Sequence, residues 1–250
     1  SAPEYGSIAS PGNDPYVITV GAMNTSGTAS RADDRIASYS SRGPSALDFV
    51  LKPDLVAPGN QIESLAAPSS LLTLLYPGGL VDPAIYNGGG AKVYYRLSGT
   101  SMAAPVVAGA AALLLQAAPT LSPDTVKARL MLSATKWADP DGGPDPCTYG
   151  AGYLNLPAAL ADGFVASAPA LSPPMAPVGS GFYAIPDSWW ASGVWSENIT
   201  WGGTKKASWT IWGASVWDAD GVWNSGFWQG AVTASGGSEA EAANILLNGE

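Results

Sequence analysis

Ser98-Gly99-Thr100-Ser101-Met102-Ala103-Ala104-Pro105 runs straight into Val106-Val107-Ala108-Gly109-Ala110-Ala111-Ala112-Leu113-Leu114-Leu115, and this stretch decides how the rest of the chain is read. A small Gly-Thr pair delivers a serine to the first turn of a helix whose every face is apolar, so the helix is expected deep in a core. The Ser101 hydroxyl is then held at a helix N-terminus. Unpaired backbone N–H groups and the positive end of the dipole favour an anion forming there. That is the setting of an acyl-transfer nucleophile, although a serine in such a place can also be only a cap.

With 250 residues the chain can hold one full core and an accessory unit. Charged residues make up only 12%, and 30 Gly and 21 Pro make the chain loop-rich. A net charge of −9 and a pI near 4.3 argue against nucleic acid and anionic membranes, both of which are gripped through basic patches. An acidic secreted enzyme fits better. The longest apolar run, Ala103 to Leu115, is too short to span a bilayer. Cys147, the one cysteine, has no partner for an internal disulfide and reads as a small, part-buried residue. The chain has no histidine, which excludes ordinary zinc sites and a Ser-His-Asp triad built from these residues alone.

Along the chain, Tyr16-Val17-Ile18-Thr19-Val20-Gly21-Ala22 is a β-branched run ending in small residues and predicts a buried strand of a parallel sheet. Asp54, between Pro53 and a Leu-Val pair, needs donors if it is buried and is expected to cap nearby backbone N–H groups. The long connection from Gly59 to Ser98, with Leu71-Leu72-Thr73-Leu74-Leu75, either walls a substrate cleft or packs as a structural insertion. Tyr94-Tyr95-Arg96-Leu97 reads as the strand entering the serine loop. Ser122-Pro123-Asp124 opens a second helix with a cap serine, a proline and an early acid, and Val126, Leu130 and Ala134 form its apolar stripe.

Several of these segments carry a resemblance. Ser98 to Pro105 resembles the nucleophile motif of the subtilisin-like serine proteases, Gly-Thr-Ser-Met-Ala-x-Pro. Ile36-Ala37-Ser38-Tyr39-Ser40-Ser41-Arg42-Gly43-Pro44, Lys52-Pro53-Asp54-Leu55-Val56-Ala57-Pro58-Gly59 and Gly150-Ala151-Gly152-Tyr153-Leu154-Asn155-Leu156 resemble three further signatures of that family. The resemblance implies an α/β fold, a subtilisin-like parallel sheet flanked by helices. It also implies that residues 1–161 are the C-terminal part of the peptidase domain. The catalytic Asp and His and the oxyanion Asn would then lie on an upstream segment, attached or docked as a partner. Gly99, Thr100 and Ser101 would form the nucleophile and oxyanion loop, and Ala9 the floor of the primary specificity pocket. The implied activity is endopeptidase cleavage of a polypeptide through an acyl-enzyme on Ser101, with no cofactor required and no activity in this chain by itself. One departure is Val106, where the family commonly has a histidine after the proline. A sedolisin-type protease also keeps Gly-Thr-Ser and needs no histidine, but Met102 and the Lys52–Gly59 segment lean against it.

Asp139, Asp141 and Asp145 offer oxygens to a structural calcium, but their spacing departs from the EF-hand pattern and a solvated turn is favoured. Residues 162–181, rich in Ala, Pro and Ser, read as an extended linker. Over 182–232, Trp190, Trp201, Trp212 and Trp223 recur every 11 residues, and Gly and β-branched neighbours favour a small β-rich repeat unit with stacked indoles over a carbohydrate-binding one. Residues 233–250 form a tail with a short helix from Ser238. The competing reading is a non-catalytic subtilase-like scaffold that presents this repeat.

Overall fold

Asp14, Lys52 and Asp54 set where the first strand starts. The Tyr16 N–H donates to Asp14 Oδ1 at 2.8 Å, the Thr19 N–H to Asp54 Oδ2 at 2.7 Å, and the Val17 carbonyl accepts from Lys52 Nζ at 3.0 Å. With its backbone bonded to side chains, this stretch joins no ladder, and Tyr16 and Val17 are exposed. Strand β1 is therefore Val20–Asn24, four residues later than the sequence suggests. The computed structural model describes residues 5–67, 69–137, 145–167 and 169–177, with short pieces at 183–184, 200–201, 204–205, 245 and 247–249.

β1 lies between the two-residue β2 (Arg35–Ile36) and β3 (Leu55–Pro58). The β1–β3 pair is parallel, with Val20 opposite Leu55 and Met23 opposite Pro58, whereas β2 is antiparallel to β1. The expected parallel sheet is thus a mixed three-stranded one, because the connection that returns the chain from β1 to β3 pairs with β1 on its way back. β4 (Ile62–Leu65) pairs antiparallel with β5 (Tyr94–Leu97), and between them lies the insertion with α1 (Leu71–Leu75). Then come α2 (Thr100–Ala117), α3 (Pro123–Leu132), α4 (Pro146–Tyr149) and α5 (Leu156–Ala161). Helices packed on a sheet with a parallel pair make the unit α/β. Two-residue strands β6 (Ala176–Pro177) and β7 (Tyr183–Ala184) pair antiparallel, as do β8 (Thr200–Trp201) and β9 (Thr204–Lys205).

The core joins Ala22 and Met23 of β1, Leu55, Val56 and Ala57 of β3, one face of α2, Val126 and Leu130 of α3, and Tyr149, Tyr153 and Leu154. α3 starts as its sequence dictates: Ser122 Oγ accepts the Thr125 N–H at 3.2 Å, and Val126, Leu130 and Ala134 are buried. α2 departs from expectation. Only Ala103, Val107, Ala110 and Leu114 are buried, while Leu113 is 44% and Leu115 40% exposed. The helix packs on β1 and β3 and touches α3 and α5. An all-apolar helix needs neighbours on every side, and among the described residues no layer covers the remaining face.

Residues 169–177 run along the surface of the same unit. Ser172 N–H donates to the Pro15 carbonyl at 3.0 Å, Leu51 N–H to Pro173 at 2.8 Å and Met175 N–H to Phe49 at 2.7 Å, and Ser172 and Met175 are buried. Asp139 and Asp141, nearly all of the tryptophan repeat and most of the tail lie outside the described residues.

Candidate active site

The polypeptide first has to place the serine. β5 ends at Leu97, and Ser98, Gly99 and Thr100 turn the chain into α2, with Gly99 as N-cap at φ 150° and ψ 161° and no side-chain cap on it. Gly99 N–H donates to the Gly59 carbonyl at 2.8 Å, which fastens the turn to the end of β3. A Cβ on Gly59 would lie 2.6 Å from the Ala22 Cβ and 3.0 Å from the Gly99 oxygen, so only glycine lets β1, β3 and the serine loop approach this closely. Ser98 Oγ accepts the Gln61 N–H at 2.9 Å and is itself buried.

Ser101 therefore occupies the second helical position and is exposed. Met102 and Ala103 N–H groups bond the Gly99 carbonyl at 2.9 and 3.3 Å. Among the described residues, the Thr100 and Ser101 N–H groups and the Ser101 hydroxyl have no hydrogen-bond partner, so two donors and a free hydroxyl meet at the positive end of an 18-residue helix. Pro105, four residues on, has no N–H to offer the Ser101 carbonyl, which loosens the first turn at the serine. The sequence displays that proline, but its effect on Ser101 is visible only once the helix start is known.

The loop stands at the carboxyl ends of the parallel β1–β3 pair, where open α/β sheets place their ligands. Beside it is a polar cleft of about 500 Å³ lined by Asn24, Ser26, Asn60, Gln61, Glu63 and Arg96 among others. Arg96 Nε donates to Glu63 Oε1 at 3.0 Å across the β4–β5 pair. The insertion is ordered by Tyr95 Oη, which donates to the Tyr76 carbonyl at 2.6 Å, and by the edge-on contact of Tyr86 with Tyr94. Leu71 and Leu74 of α1 face outward, 71% and 67% exposed. Gly99, Thr100 and Ser101 come together as one loop. Ala9 is exposed, and its carbonyl lies close to Gly12.

Asp54 caps the Thr19 N–H as expected and does far more, at the opposite end of the strands. Its carboxylate bonds Lys52 Nζ at 2.8 Å, lies 3.4 Å from Lys127 Nζ and accepts from the Ser172 hydroxyl, all four residues being buried. Lys127 also donates to the Pro15 carbonyl at 2.6 Å and the Val17 carbonyl at 3.0 Å. Burial pulls its ammonium below the ordinary lysine range, against the nearby Asp54 carboxylate. No local signal marks it, since Lys127 stands beside Val126 in a helix that also carries Arg129. Asp145 is occupied as the N-cap of α4: Oδ1 accepts the Cys147 N–H at 2.9 Å and Oδ2 the Tyr5 hydroxyl at 2.6 Å. Among the described residues no group of three His, Cys, Asp or Glu could hold a metal ion.

Comparisons with known proteins bear on residues 1–152, which match the subtilase family (Peptidase_S8). Serine protease AprX of Bacillus subtilis is 45% identical over 155 residues, 62% of this chain and 32% of the relative. Subtilisin-like protease SBT3.10 of Arabidopsis thaliana is 34% identical over 143 residues, 52% of this chain and 16% of the relative. The chain thus spans about a third or less of the length of these relatives. Among solved structures, fervidolysin of Fervidobacterium pennivorans, a keratinolytic enzyme related to subtilisin, is 26% identical, with 69% of this chain and 21% of that chain covered at a TM-score of 0.46.

Proposed function

Because the chain belongs to the subtilase family, we propose that Ser101 is the acyl-transfer nucleophile of a secreted serine endopeptidase. The observation that carries this reading is the exposed hydroxyl of Ser101, unpartnered among the described residues, beside two N–H groups likewise unpartnered there at the start of α2. In the reaction Ser101 Oγ attacks the carbonyl carbon of the scissile peptide bond, and the carbonyl oxygen takes up the negative charge. The Ser101 N–H and the dipole of α2 stabilise that charge. The hydroxyl proton passes to a base and then to the departing amine. Water afterwards cleaves the ester on Ser101 and regenerates the hydroxyl.

The base cannot be a histidine of this sequence, which has none. An upstream segment supplies the catalytic His and Asp and the oxyanion Asn. Two observations support this: the chain spans 32% of its Bacillus relative, and α2 presents Leu113 and Leu115 on a face that no layer among the described residues covers and that a further layer would bury. The substrate is a polypeptide, with Ala9 at the floor of the pocket for the side chain before the cleaved bond; no cofactor is required. The reading is tested with a fluorophosphonate probe on the protein that includes the upstream segment. A covalent adduct is expected on Ser101, lost in Ser101→Ala. A folded protein that takes no adduct overturns the proposal and leaves the scaffold reading. This chain alone is expected to react no faster than Ser101→Ala.

A further inference from the structure

We propose that the helical end carrying Ile245, Leu247, Asn248 and Gly249 is a docking segment seated on the Asn60–Gln61 corner, and that Gln61 is a positioning residue relaying this docking to the serine loop. The relay to catalysis rests on the role of Ser101 given above; the docking does not.

The seat is specific in polarity and in shape. Gln61 Nε2 donates to the Asn248 carbonyl at 2.8 Å. Gly249 N–H closes the turn on the Ile245 carbonyl at 2.9 Å, and Gly249 takes a φ of 70°. A Cβ at position 249 would lie 2.6 Å from Asn60 Oδ1 and 2.8 Å from Gln61 Cγ. The dihedral favours glycine, in the manner of a helix end that finishes in the left-handed region, and a larger residue there would also have to push the Asn60 and Gln61 side chains aside. Asn60, which forms the wall of the seat, is only 6% exposed.

From the seat to the serine the path is short and bonded. Gln61 holds the docked turn by its side chain and holds Ser98 by its backbone N–H, which Ser98 Oγ accepts at 2.9 Å. Two residues back, the Gly59 carbonyl takes the Gly99 N–H at 2.8 Å. A segment 187 positions away in sequence thereby braces the corner from which Ser101 is presented. Undocking it frees the Gln61 side chain and loosens the Gln61–Ser98 bond on which the loop rests.

The test uses the protein that includes the upstream segment and compares wild type, Gly249→Val, Gln61→Ala and the double variant. Amide hydrogen exchange is read at residues 59–62 and 98–101. Exchange there is expected to rise about fivefold in each variant, the scale of one ordinary hydrogen bond. The double variant should be no faster than either single one, since both remove the same contact. With a peptide substrate, kcat is expected to fall in both single variants while KM stays unchanged. Wild-type exchange in Gly249→Val, or strictly additive effects, overturns the docking. Raised exchange with an unaltered kcat overturns the relay alone. If exchange rises but Ser101 is labelled in no variant, the docking stands and the nucleophile assignment falls.

Discussion

The two ends of the β1–β3 pair are built in opposite ways. At the amino ends, Lys52, Asp54, Lys127 and Ser172 are at most 2% exposed and satisfy one another and the Pro15 and Val17 carbonyls. At the carboxyl ends, the serine loop leaves donors unbonded next to an open cleft lined by Asn60, Gln61, Glu63 and Arg96. Charge is closed in at one end and accessible at the other. Stability and chemistry are thus assigned to different edges of the same two strands, and a substitution should be felt in folding or in reactivity according to the edge it touches.

The largest contrast is expected from Asp54→Ala. It leaves two buried ammoniums without their carboxylate, a loss on the order of 3–5 kcal/mol, whereas Ser101→Ala at an exposed position should leave the urea midpoint within error of wild type. Equal midpoints for the two variants would abolish the distinction between the edges.

A second contrast concerns pH. Lys136 donates to the Ala151 carbonyl at 2.7 Å next to the closed edge, and burial pulls its ammonium down to about 8 from 10.5. Between those values the unfolded chain holds a proton that the folded chain has released, so this residue makes stability rise with pH across that window. Below about pH 8 the cost of the buried charge is present in full. Thermal melts should then show Lys136→Met more stable than wild type at pH 7, with the gap closing by pH 10.5. A gap that does not change with pH would refute the assignment.

The smallest effect is the most informative about α2. Leu113→Gln, on the uncovered face, should cost less than about 0.5 kcal/mol in this chain, against roughly 2–5 kcal/mol for Leu114→Ala at a buried neighbour. In the longer protein the Leu113 penalty should grow towards that of Leu114. A Leu113 penalty that stays small there would mean that no further layer covers the helix.

Much of the unit was legible because its signals are local. The Ser122 cap, the Tyr94–Leu97 strand and the glycine turn into α2 follow from short-range spacing and backbone chemistry. The start of β1 was not legible, since it depends on Asp54 and Lys52 taking backbone groups 35 residues away in sequence. Nor was the partial exposure of α2: composition says how apolar a helix is but not how many neighbours it has. The Lys127–Asp54 contact was hidden for the same reason, because a lysine next to the apolar stripe reads as a solvated helix residue until its carboxylate is placed. At the site, Ser101 was readable from its motif, whereas the Gln61 brace joins two segments that nothing in the sequence links.

Cys147 has a practical consequence. Its thiol is fully buried, lies 3.9 Å from the Met175 sulfur, and is pushed well above its usual range by burial and the nearby Asp145 carboxylate. A native sample should stay silent towards maleimides and disulfide reagents. A cysteine introduced at an exposed position would then be the one thiol to react, so fluorophores or spin labels can be attached there without first removing the natural residue.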